Sequence, residues 1–222
     1  VGLIEINAFQ SFSSEPEDTQ IHQLIRAGDE TNIKLLIQKG IYLEIENGVD
    51  LEKKGKDFLT PLGLAISLKQ VAITRLLIEA GASVNNGEKL PLVLAANRGY
   101  LEIIKMLIEA GAKVNLQQGN SPSMSALDMA ASCNRNTIVK YLINAGAEVN
   151  FQDCEGWTPL MSAVAKGNLE TVKILLRAGA KVNVTDIDRY SILDIARQNN
   201  RSKIVNLLEK AGAKSGQELL YD

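Results

Sequence analysis

The 222-residue sequence is poor in the side chains on which most chemistry depends. It has one histidine, His22, and two cysteines, Cys133 and Cys154, in adjacent repeat units. One imidazole and two separated thiols cannot assemble an ordinary zinc site, and two cysteines build no disulfide framework, so reduced thiols are expected. No run of 18 apolar residues occurs, which excludes a transmembrane helix. The formal net charge is −2, too small for strongly electrostatic attachment to nucleic acid or an anionic membrane. Asp186 and Asp188 lack the glycine and terminal glutamate of a calcium loop, and Gly55-Lys56-Asp57 lacks the spacing of a phosphate loop. No nucleophile and base can be paired, so no catalytic residue, metal ligand or cofactor is expected.

What the chain does have is repetition. The phrase Ala-Gly-Ala-x-Val-Asn stands at residues 80–85, 110–115, 145–150 and 178–183, with a partial copy at 211–213. Its glycines, at 81, 111, 146, 179 and 212, are 30, 35, 33 and 33 residues apart. A tandem unit of about 33 residues implies a solenoid in which each slice packs only on its neighbours.

One unit, Asp153 to Asn183, predicts two short helices. Thr158 stands as an N-cap and Pro159 at the first helical position of a helix running to about Ala165, which Lys166-Gly167-Asn168 ends. The second helix, about Leu169 to Arg177, carries Leu169, Val172, Leu175 and Leu176 on one face. Gly179 stops it in the left-handed conformation that helix ends favour.

The run Asp153-Cys154-Glu155-Gly156-Trp157-Thr158-Pro159-Leu160 and the endings Leu76-Leu77-Ile78-Glu79-Ala80-Gly81-Ala82 and Leu175-Leu176-Arg177-Ala178-Gly179-Ala180 resemble the ankyrin repeat. The resemblance implies an all-α solenoid of stacked helix-turn-helix units with finger-like hairpin loops. About six repeats are expected, at 17–44, 57–85, 86–115, 116–150, 151–183 and 184–214, with an inserted long finger at 45–56. Residues 1–16 read as an N-terminal cap or arm and 215–222 as a C-terminal tail. The family's histidine after Thr-Pro-Leu survives only as His22; Gly63, Val93, Asp128, Met161 and Asp194 replace it, so more reliance on apolar packing is expected.

The resemblance further implies a noncatalytic scaffold that binds a partner protein through its fingers and a concave groove lined by its first helices. The positions the fold leaves free include Leu59, Arg98, Met124, Trp157, Lys166, Ile187 and Tyr190. Trp157 and Tyr190 occupy equivalent places in successive repeats and are the expected aromatic anchors. Arg98, Arg135 and Lys166 would form a basic stripe suited to an acidic or phosphorylated partner segment. A cytoplasmic monomer is expected unless the apolar termini self-associate; the alternative is a regulatory or targeting segment of a larger enzyme or effector.

Overall fold

The computed structural model describes residues 18–42, 49–87, 89–118 and 124–221. The N-terminal segment 1–16 and residues 45–48 of the expected insertion lie outside them. Among the described residues there are twelve α-helices in six successive pairs, a closing 3₁₀ turn at Glu218–Leu220 and no strand.

The first helices of the pairs are α1 (Gln20–Ala27), α3 (Pro61–Ser67), α5 (Pro91–Arg98), α7 (Ala126–Ser132), α9 (Pro159–Lys166) and α11 (Ile192–Gln198). The second helices are α2 (Glu30–Tyr42), α4 (Val71–Glu79), α6 (Leu101–Glu109), α8 (Asn136–Asn144), α10 (Leu169–Arg177) and α12 (Ser202–Lys210). Each first helix packs on the next first helix, from α1 through α11, so the core runs the length of the stack. Ala65, Ala95, Ala96, Ala130, Ala131, Ala163 and Ala196 are all fully buried in this row, and their small side chains let the helices close up.

Sequence fixes both ends of the first helices. Thr60, Ser125, Thr158 and Ser191 each accept the amide N–H three residues on, satisfying a donor the helix cannot pair itself. Leu90 takes the same place before α5 and makes no such side-chain bond. At their far ends the first helices are tied to the following repeat. Gln70 donates to the Ile25 carbonyl (2.7 Å), Asn168 to those of Ala131 and Ser132 (2.8 and 2.9 Å), and Arg201 to that of Ala165 (3.2 Å). The Arg201 guanidinium lies against Gly167, where an added Cβ would stand 2.8 Å from its central carbon. Gly167 therefore has two reasons to be glycine, the other being its φ of 77°.

A second row of bonds joins the repeats at their fingers. Asn85, Asn115, Asn150 and Asn183 each donate to a glycine carbonyl of the next repeat, at 111, 146, 179 and 212, and each accepts an N–H two residues beyond it. Glu52 stands eight residues before its cap Thr60, as Asn150 does before Thr158, and takes over the acceptor role toward Ser83 N–H at 2.7 Å. Its second oxygen accepts from Asn86 at 3.0 Å.

That position revises the expected long finger at 45–56. Gly55 N–H donates to Leu59 O at 2.9 Å, the same turn that Asp153 and Trp157 make at 2.9 Å, so 49–59 form a finger of ordinary length. The extra residues fall earlier: α2 has 13 residues against nine in each later second helix. Counted from Gly48, the step to Gly81 is the regular 33.

The lost histidines also do not leave apolar packing alone. His22 accepts from Thr19 Oγ1 at Nδ1 (2.6 Å) and donates from Nε2 to Leu59 O (3.0 Å). In α7 and α11 an aspartate fills the position instead, and Asp128 with Ser125 and Asp194 with Ser191 form reciprocal capping boxes. Asp194 also accepts from Gly216 N–H at 2.7 Å, which docks the start of the tail on the last repeat, while Leu220 and Tyr221 remain exposed.

Candidate functional site

The finger between α8 and α9 is built around Asp153. Its Oδ1 accepts the N–H groups of Glu155 (2.9 Å) and Trp157 (2.8 Å), and its own N–H donates to Trp157 O. This local turn, followed at once by the Thr158 cap and Pro159, leaves Trp157 one defined exit from the backbone. The indole is half-buried and packs against the core.

Between that finger and the first helices lies a cleft of about 300 Å³. Trp157 and Met124 supply apolar surface, Asp153 and Glu155 carboxylates, Ser132 and Ser162 hydroxyls, and Ala165 and Lys166 the rim on the last turn of α9. The helix ends that carry Ser132 and Ala165 are the ones held by Asn168 and Arg201, so a built frame surrounds the opening.

Asp128 lies near this cleft and is 5% exposed. Burial pushes its carboxyl up to about 6, hydrogen bonds from Ser125 oppose the shift, and the negative charge of Asp153 adds to it. Asp194 in the matching box goes the other way: burial raises it, but the N–H groups of Gly216 and Ser191 and the Ser191 hydroxyl outweigh that and lower it. At the opposite end of the array, hydrogen bonding to Arg26 holds the Asp18 carboxyl down to about 2, and Arg26 also pairs with Asp57 at 2.6 Å.

Met124, Trp157 and Lys166, three of the positions expected to bind, are brought together here. Ile187 and Tyr190 sit on the following finger, 67% and 45% exposed. That finger is joined to the first by Ile187 N–H donating to Glu155 O at 3.0 Å. Arg98 is exposed at the end of α5, outside the cleft lining. Leu59 does not belong with them. It is 7% exposed, and Leu64, on the next turn of α3, is 2% exposed, so both side chains are spent on the core.

One exposed position was not expected. Phe58 is 50% exposed with φ of 58°, at the finger position where Gly156 has φ of 80°. An aromatic residue in place of the turn glycine was the signal for it. Neither cysteine is in a disulfide, and among the described residues no group of three or more His, Cys, Asp or Glu could hold a metal ion. No described helix is long and apolar enough to cross a membrane.

A sequence-family model described as ankyrin repeats, in three copies, matches residues 21–118 and again 123–218. No curated protein matches the chain.

Proposed function

We propose that this chain, which belongs to the ankyrin-repeat family, uses its finger edge and first-helix ends to hold a segment of a partner protein, with the Trp157 cleft as the anchor point. Members of the family are generally protein–protein interaction modules and typically noncatalytic. The observation that carries the reading is that the cleft is lined by side chains the repeat does not need. The caps, the alanine row and the asparagine joints account for the fold, and Trp157, Met124, Glu155 and Lys166 belong to none of them.

Exposed Phe58, Ile187 and Tyr190 extend the same finger edge and supply apolar contact area, while Arg98 and Lys166 supply charge at the helix ends. Aromatic anchors in a partly enclosed site, flanked by polar groups that set register, are the usual anatomy of such an interface. A net charge of −2 supports a protein partner over nucleic acid, and two cysteines outside any disulfide accord with a cytoplasmic setting.

Affinity capture from native extract tests the proposal. The unaltered chain is expected to retain a partner that Trp157→Ala combined with Tyr190→Ala loses by tenfold or more, about the effect of a single hot-spot residue. Circular dichroism melts of both proteins must accompany it, because Trp157 also packs on the core. Equal retention by two folded proteins would reject this face.

A further inference from the structure

We propose that the Trp157 cleft receives a basic side chain of the partner, an arginine or a lysine. This rests on the reading of the finger edge as the binding surface and specifies what enters it.

The size comes first. About 300 Å³ holds one long side chain, not a helix or a strand. The walls then select among long side chains. The Trp157 ring and the Met124 thioether offer the apolar contact that a methylene stem needs, and the face of an indole is the best aromatic surface for a cation.

The charges agree. Asp153 and Glu155 both line the cleft. Asp186 and Asp188 follow on the adjoining finger, which is bonded to Glu155 through Ile187. Among the described residues of the lining Lys166 is the one cation, on the exposed last residue of α9, where a flexible stem can turn outward as a ligand enters. An acidic side chain would meet like charge from Asp153 and Glu155. A guanidinium or ammonium meets opposite charge there while its stem covers the indole.

Trp157 is the sole tryptophan of the chain, so its fluorescence reports this cleft alone. The full chain is titrated with N-acetylarginine methylamide at constant ionic strength, with the leucine and glutamate analogues as comparators. The arginine compound is expected to give a saturable change and the other two only a linear drift. Glu155→Gln should raise the midpoint by about fivefold, the upper range for one partly exposed ion pair. Lys166→Ala should lower it about two- to threefold by removing the competing charge.

Saturation by the leucine compound at equal or lower concentration, or none by arginine, would overturn the inference. So would an arginine midpoint indifferent to Glu155→Gln. If the arginine compound fails while the capture experiment still depends on Trp157 and Tyr190, the finger edge binds but this occupant is wrong. If both fail, the surface itself is misassigned.

Discussion

Leu59 and Trp157 hold the same place in their repeats, one residue before the cap threonine, and meet opposite fates. Leu59 is 7% exposed, its carbonyl accepts from His22, and Leu64 fills the space four residues after Thr60. Four residues after Thr158 stands Ser162, and Met124 and Ser132 of the preceding repeat leave room beside it, so Trp157 borders an opening as well as the core. The backbone turn at the two sites is alike, with N–H to carbonyl distances of 2.9 Å in both. The repeat therefore fixes where this side chain starts and the neighbouring repeat decides whether it closes the stack or faces a partner.

Truncation should separate the two sites most sharply. Leu59→Ala is expected to cost about 3 kcal/mol of stability, as removal of a buried leucine side chain does, read as a lower denaturant midpoint. Trp157→Ala should cost less than half of that because its ring is only partly buried. Equal losses would mean that the two positions are both core.

The buried carboxylate near the cleft predicts a pH dependence of nearly the same size. With its folded value raised from 3.8 to about 6, the Asp128 contribution is fully present below pH 3.8 and is lost as pH rises through about 6. Two units correspond to about 3 kcal/mol, an upper figure for this group. The stability of Asp128→Asn minus that of the native chain should thus grow between pH 4 and pH 7. Asp194→Asn should show the reverse trend, because a lowered carboxylate contributes above its unfolded value and loses that as pH falls. Parallel curves for the two variants would show that burial does not distinguish the boxes.

A smaller effect is expected at the finger tip. Phe58→Gly should stabilise the chain by about 1 kcal/mol, since glycine relieves the left-handed strain that Gly156 never carries. It should also weaken partner capture if the exposed ring is part of the interface. The smallest change in stability belongs to Ser162→Leu, which imports the leucine of α3 into α9. It should fill the cleft, leave stability within about 1 kcal/mol, and abolish the arginine response.

Much of the scaffold was legible in the sequence. Thr158, Pro159 and Gly179 act through neighbours a few residues away, so α9 was read to within one residue and α10 at both ends. The phase of the second repeat was not legible. Glu52 does the work of an asparagine, and the pattern before it runs Gly-Val-Asp-Leu-Glu in place of Gly-Ala-x-Val-Asn, which made an ordinary finger look like an insertion. The site was half legible. Trp157, Met124 and Lys166 were visible as residues the repeat does not dictate, yet the burial of Leu59 at an equivalent position was not. That difference depends on Leu64 and His22 at one site and on Ser132 and Ser162 at the other, side chains that meet only when the repeats stack.

The most direct measurement is a fluorescence titration of the native chain and of Ser162→Leu with the purified partner recovered by capture. The emission of Trp157 should shift saturably in the native chain, reverse on addition of N-acetylarginine methylamide, and stay unchanged in the filled variant. A partner that binds both proteins equally well, with no change at Trp157, would contradict the assignment of this cleft as the recognition site.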